Sequence, residues 1–132
     1  MSSRAKPPSW QYFMPALVWG LILSYFTLLP SNQLPDNMRA LNDLYIHAAI
    51  YFFSAFLLVL GFQRFQINRR LSLRQQALIL FLCVAYGGLI EILQGTLVPG
   101  RAAQWSDFWA NALGALLILI LLRGVHQVFK KA

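Results

Sequence analysis

The side chains that could carry chemistry fall in two short stretches of a mostly apolar chain. In residues 43–51 an aspartate, a histidine and a tyrosine follow at intervals of four, which places them on one face of a helix. Residues 91–111 hold two carboxylates, an arginine and several amides. Ionisable side chains in apolar runs are costly and mark a candidate functional site. The candidate ligand-binding residues are Asp43, His47, Tyr51, Glu91, Gln94, Arg101, Asp107 and Asn111.

These residue types allow three kinds of function. Arg101 among polar groups suits a phosphate, so the first hypothesis is binding of an anionic lipid headgroup or a lipid-linked cell-envelope precursor. The second is a hydrolase or transferase, with His47, Glu91 and Asp43 as candidate catalytic residues for proton transfer. No serine or cysteine nucleophile motif accompanies them. The third is a small proton-coupled exporter, which the placement of the polar groups near one surface disfavours.

A structural role is the alternative for the same residues. In that interpretation Glu91 pairs with Arg101, the aspartates cap helices, and Asn111 hydrogen-bonds between helices. A metal site of His47, Glu91 and Asp107 is also open, but one histidine with carboxylates is a weak signature. We therefore predict no metal and no cofactor.

Composition indicates a membrane protein. The chain has 132 residues, of which 58% are hydrophobic and 11% charged, against about 25% charged in soluble domains. Four apolar runs each approach the roughly 20 residues that cross about 30 Å of hydrocarbon. We predict an all-α fold, a single membrane domain over residues 1–132. Its four transmembrane helices, at about 10–29, 44–62, 77–98 and 105–122, would form two in–out–in hairpins.

The basic residues predict the orientation of these helices. Nine of the eleven lysines and arginines precede the first helix, link the second and third, or follow the fourth. This asymmetry is typical of cytoplasmic segments, so both termini should be cytoplasmic. We predict a multi-pass protein of the bacterial cytoplasmic (inner) membrane whose partners are membrane lipids. Nucleic acid is not expected despite the net charge of +7, and the oligomeric state stays open.

Helix geometry predicts that the polar residues share one depth. At about 1.5 Å per residue, His47 lies about 6 Å and Asn111 about 9 Å below the outer interface, and Glu91 reaches a similar level. Gly87, Gly88 and Gly114 are expected to let neighbouring helices approach. A constant offset of 64 residues between the two halves suggests a parallel repeat. It relates Pro35, Asp43 and His47 to Pro99, Asp107 and Asn111.

The order of these residues resembles the VanZ-like family of small membrane proteins. The resemblance covers residues 41–117, and one departure is Leu44, where members often have lysine. It implies a four-helix membrane protein, with some members linked to low-level resistance to glycopeptides such as teicoplanin, and no secure biochemical activity. The matching pattern is Asp43-x3-His47-x3-Tyr51, then Glu91-x2-Gln94, Arg101 and Ser106-Asp107-x3-Asn111-x2-Gly114.

Overall fold

The computed structural model describes residues 9–33, 43–66 and 69–131. Within these ranges the chain forms four α-helices and no β-strand, so the all-helical prediction is confirmed. The helices are α1 (Met14–Thr27), α2 (Asp43–Gln63), α3 (Leu73–Leu97) and α4 (Trp105–Lys131). Two short 3-10 helices, Ser9–Phe13 and Ser31–Gln33, lie on either side of α1.

The first helix is shorter than predicted, since its α-helical part covers residues 14–27 instead of 10–29. Its α-helical part has 14 residues, or about 21 Å, which is less than the roughly 30 Å of a hydrocarbon core. Pro15 lies in its first turn, where a missing N–H is tolerated and an α-helix can begin. Over the described residues three helices are long and apolar enough to cross a membrane. The prediction of four spans is therefore confirmed for α2, α3 and α4 alone.

Two other helix boundaries lie further out than predicted. Helix α3 begins at Leu73 instead of residue 77 because Ser72 and Gln75 form a capping box. The Ser72 hydroxyl accepts from the Gln75 N–H at 3.2 Å, and the Gln75 side chain accepts from the Ser72 N–H at 2.9 Å. Helix α4 continues to Lys131 instead of residue 122, because residues 123–131 contain no proline to end it.

The tightest helix pair is α2 with α4. Ala55 on α2 and Ala115 on α4 are fully buried. A Cβ atom on Gly114 would overlap the carbonyl oxygen of Ala48. Small side chains of this kind allow two helix backbones to approach closely within a membrane. The contact fixes the relative position of α2 and α4 at the level of the polar residues.

Candidate functional site

His47 lies at the centre of a polar cluster to which α2, α3 and α4 all contribute. Its Nδ1 atom is 2.9 Å from Oδ1 of Asn111 on α4 and 3.9 Å from Oε1 of Glu91 on α3. Its Nε2 atom is 3.6 Å from Oδ2 of Asp107 on α4. We call these four residues, His47, Glu91, Asp107 and Asn111, the polar cluster. The structure thus brings together side chains that are up to 64 residues apart in the chain.

The polar cluster is shielded from the surroundings. The side chains of His47, Asp107 and Glu91 are 16%, 11% and 6% exposed, and Asn111 is buried. Carboxylates and an imidazole so far from solvent are destabilising unless each finds a partner. Each of these side chains therefore needs a polar partner within the protein.

The two carboxylate oxygens of Glu91 have different surroundings. Oε2 accepts a hydrogen bond from the backbone N–H of Gln104 at 3.2 Å. Gln104 immediately precedes α4, where free backbone N–H groups attract negative charge. Oε1 is buried and has no hydrogen-bond partner among the described residues. Glu91 is thus held through one oxygen while the other faces the imidazole without a hydrogen bond.

Asp107 contacts side chains instead of capping a helix. Because α4 begins at Trp105, Asp107 lies within the first helical turn, two residues past its start. Its Oδ1 atom accepts from the Ser106 hydroxyl at 3.2 Å, and Oδ2 faces His47. The expectation that this aspartate serves as an N-cap is therefore wrong. The side chain of Asp43, the other candidate of this kind, lies outside the described residues.

Tyr51 lies one turn below His47 on α2 and packs under the polar cluster. A Cβ atom on Gly87 would lie 3.2 Å from two ring carbons of Tyr51 and 2.7 Å from Nδ2 of Asn111. The glycine therefore leaves the room that both side chains occupy. The Tyr51 hydroxyl is buried and has no hydrogen-bond partner among the described residues.

Gln94 and Arg101 connect the site to α1. The Gln94 amide donates to the carbonyl oxygen of Thr27 at 2.7 Å, and the Arg101 guanidinium donates to the same oxygen at 3.0 Å. Thr27 is the last residue of α1, where carbonyl groups lack partners within the helix. These two predicted site residues therefore hold the end of α1, and the four members of the polar cluster form the interior.

Sequence reasoning missed the backbone groups of the site. The N–H of Gln104 and the carbonyl of Thr27 belong to residues with no special side-chain pattern. The available signal was their position at a helix end, since such ends present unpaired backbone groups to neighbouring polar side chains.

An apolar groove lies directly below the polar cluster, between α1, α2 and α3. Its volume is about 440 Å³, within the usual range of ligand pockets. Its polar groups are largely paired, since Trp19 donates to Ser54 at 2.9 Å and Tyr86 bonds to Ser24 at 2.6 Å. Tyr51 belongs to the lining, so the groove extends to within one helical turn of His47 in the polar cluster. The lining includes Phe13, Leu17, Gly20, Tyr51, Leu58, Leu82 and Cys83.

The fold and the site define an all-helical membrane protein with a buried polar cluster at one end of its bundle. Residues 13–129 match the VanZ/LLP1 family, so the chain belongs to this family. The match extends the resemblance of residues 41–117 to nearly the whole chain. Neither the curated proteins nor the solved structures contain a match.

Proposed function

We propose that this protein binds an anionic lipid at the outer surface of the bacterial inner membrane. The headgroup of a phospholipid or of a lipid-linked envelope precursor would lie against the polar cluster and Arg101. The hydrocarbon chain would lie in the apolar groove. The observation that carries this proposal is that Tyr51 lines the groove and lies on α2 one helical turn from His47 of the polar cluster. A single amphipathic molecule can therefore occupy both.

The orientation rests on charge and on aromatic residues. The polar cluster lies at one end of the bundle, and Arg64, Arg69, Arg70 and Arg74 lie around the connection at the other end. Such a basic connection is typical of the cytoplasmic side. Trp105 and Tyr45 are 78% and 74% exposed at the cluster end, where aromatic side chains suit a headgroup layer. The cluster would then face the outer leaflet.

The first helix would complete a four-span bundle in this arrangement. The 3-10 helix Ser9–Phe13 continues directly into α1. At about 2.0 Å per residue for the first and 1.5 Å for the second, the two together extend about 31 Å. That length matches the hydrocarbon core. Four spans with a basic middle connection would place both termini in the cytoplasm.

Binding is favoured over catalysis because the Ser106 hydroxyl contacts Asp107 and not the His47 imidazole. A serine nucleophile needs its hydroxyl against the imidazole that removes its proton. Here the Ser106 hydroxyl contacts Asp107, and the carboxylate stands between it and His47. Export is disfavoured because the core below Tyr51 is formed by Ala55, Val59 and other apolar residues. Binding of a lipid-linked precursor would connect the protein to the glycopeptide resistance of some family members.

Filling the groove tests the proposal. A Cβ atom on Gly20 would meet only the Tyr86 hydroxyl, at 4.0 Å among described atoms, so Gly20→Leu should fold and occupy the groove. Purified protein in nanodiscs would be labelled with photoactivatable anionic probes, one with acyl chains and one with a polyprenyl chain. Because leucine would occupy space that the hydrocarbon chain needs, labelling should fall by about tenfold, equivalent to about 1.4 kcal/mol.

The control for this experiment is Gly124→Leu. Among the described residues nothing lies within 4 Å of a Cβ atom at Gly124, and Gly124 is not part of the groove. This variant should label like the wild type. The probe that labels more strongly identifies the lipid class. Equal labelling of the Gly20→Leu variant and the wild type by both probes would refute binding in the groove.

A further inference from the structure

The two nitrogens of the His47 imidazole have different partners. Nδ1 lies 2.9 Å from Oδ1 of Asn111, and an amide oxygen only accepts, so Nδ1 is the donor in this bond. In the neutral ring the Nε2 atom then presents a lone pair. That lone pair faces Oδ2 of Asp107 at 3.6 Å, which is also an acceptor when ionised. Two acceptors that face each other across this distance repel each other unless a proton or a metal ion lies between them.

Glu91 supplies a second, independent observation. Its side chain is 6% exposed, and its Oε1 atom has no hydrogen-bond partner among the described residues. This oxygen lies on the imidazole side of the carboxylate, 3.9 Å from His47 Nδ1. A buried carboxylate oxygen without a hydrogen bond is destabilising, and a bound cation would stabilise it. His47, Asp107 and Glu91 thus each offer a free ligand atom to the same small volume.

The spacing of these atoms suits a metal ion. One ligand atom from each of His47, Glu91 and Asp107 can be chosen so that all lie within 4.8 Å of one another. A tetrahedral ion with bonds of about 2.0–2.2 Å holds its ligand atoms about 3.3–3.6 Å apart. The Nε2–Oδ2 distance of 3.6 Å already meets this requirement. Glu91 Oε1 lies 3.9 Å from the other ring nitrogen, Nδ1, so the Glu91 side chain would have to turn toward Nε2 to complete the set.

We propose that His47, Glu91 and Asp107 bind one divalent transition-metal ion of the zinc or manganese type. Imidazole with carboxylates suits such ions, and two carboxylates with a neutral imidazole balance the charge of a divalent cation. Asn111 is the outer partner, because a histidine that binds a metal commonly donates its other N–H to an oxygen. Three protein ligands leave a coordination position for water or a phosphate oxygen.

This inference reverses the prediction that the protein binds no metal. It goes beyond the proposed function, because the ion is held by protein atoms and requires no lipid. If an anionic lipid does bind, the ion supplies positive charge where Glu91 and Asp107 would otherwise repel a phosphate. Metal binding and lipid labelling are measured separately, so the failure of one leaves the other to be judged by its own experiment.

Metal analysis of the full chain tests the inference. Detergent-purified protein would be stripped with chelator, dialysed against Zn²⁺ alone or Mn²⁺ alone, and its metal content measured. We expect one equivalent for the wild type, and its loss in His47→Gln, Glu91→Gln and Asp107→Asn. The Asn111→Ala variant should bind about 10- to 100-fold more weakly. Absence of bound metal in the folded wild type, or full binding in the three ligand variants, would overturn the inference.

The chain provides a matched control, because it has just two histidines. The other one, His126, lies near the far end of α4, with Nδ1 2.8 Å from the Leu122 carbonyl. His126→Gln should therefore keep the metal. If the ligand variants also lose helix content, pulsed EPR of Mn²⁺ on the wild type decides. Detection of one imidazole nitrogen bound to the ion, in the wild type and in His126→Gln, supports the site. Detection of no bound imidazole nitrogen in the wild type contradicts it.

Discussion

Gly114 sets the distance between the two helices that carry His47 and Asn111. A Cβ atom there would overlap the Ala48 carbonyl oxygen and lie 2.8 Å from the carbonyl carbon, whereas ordinary contacts begin at 3.4 Å. In Gly114→Ala the helices must therefore separate by at least 0.6 Å, the difference between these distances. The same shift would lengthen the 2.9 Å contact between His47 and Asn111 to about 3.5 Å, beyond the range of a good hydrogen bond.

The expected cost follows from these contacts. Overpacking against a helix backbone costs about 1–3 kcal/mol, and an interhelical hydrogen bond in a membrane contributes about 0.6 kcal/mol. Alanine recovers up to about 1 kcal/mol through its higher helix propensity. We expect Gly114→Ala to lower the free energy of unfolding by about 1–3 kcal/mol, measured by SDS titration in mixed micelles with circular dichroism.

Gly124→Ala is the matched control for this measurement, since it lies in the same helix and meets nothing within 4 Å among described atoms. It should be neutral or more stable by up to about 1 kcal/mol. The reasoning is refuted if Gly114→Ala is as stable as Gly124→Ala. It is equally refuted if Gly114→Ala retains full metal and lipid binding, because His47 and Asn111 would then be undisturbed.

Three further predictions concern neighbouring contacts. Gly87→Ala should weaken metal binding by displacing Asn111, because the new Cβ atom would lie 2.7 Å from the Asn111 amide nitrogen. Gly88→Ala is the control and should bind metal normally in the same assay, because its new Cβ atom would lie 3.4 Å from the Phe108 ring. Gln94→Ala should increase hydrogen exchange at the end of α1, since its bond to Thr27 is lost; unchanged exchange would contradict this anchoring role. Tyr86→Phe should lower stability in SDS titration by about 1 kcal/mol by removing its bond to the Gly20 carbonyl.

The depth of the polar residues could be predicted from the sequence. Counting about 1.5 Å per residue from each predicted helix end placed His47, Glu91 and Asn111 at one level, and the structure brings these three together. Depth depends on the start of each helix near the site, and α2 and α4 begin within one residue of their predictions. Gly87, Gly88 and Gly114 were also predicted as close-contact positions, because glycine lacks a side chain to keep helices apart. The structure has close contacts at Gly87 and Gly114, whereas a Cβ atom on Gly88 would make only an ordinary contact at 3.4 Å.

The partners of individual atoms could not be predicted. Which face of α2 meets α4 depends on the packing of all the helices, so the sequence left open whether Arg101 pairs with a carboxylate or with a backbone carbonyl. The 3-10 start of the first helix was missed because Trp10, Tyr12 and Phe13 lead without a break into the apolar run, and hydropathy does not distinguish a 3-10 helix from an α-helix. The Ser72–Gln75 capping box was present in the sequence, but it lies in a polar connection that hydropathy assigns to a loop.

The proposed internal repeat gains one geometric observation. His47 and Asn111 occupy equivalent positions at the offset of 64 residues, and their side chains contact each other at 2.9 Å. The equivalent helices α2 and α4 are also the most closely packed pair. A parallel repeat would explain why a histidine and an amide from the two halves meet at the centre of the site. The duplication itself stays a prediction.

The central proposal is that an anionic lipid lies against Arg101 and the polar cluster, and native mass spectrometry tests it most directly. Protein released gently from membranes would be examined for copurifying lipid in the wild type, in Arg101→Gln, and in Arg123→Gln as a matched control at the opposite end of the bundle, where Arg123 bonds to Gln76 at 2.6 Å. The account predicts an anionic lipid on the wild type and on Arg123→Gln, and its loss from Arg101→Gln, because the guanidinium is the partner of the headgroup phosphate. The same lipid retained at the same occupancy by folded Arg101→Gln would contradict the account.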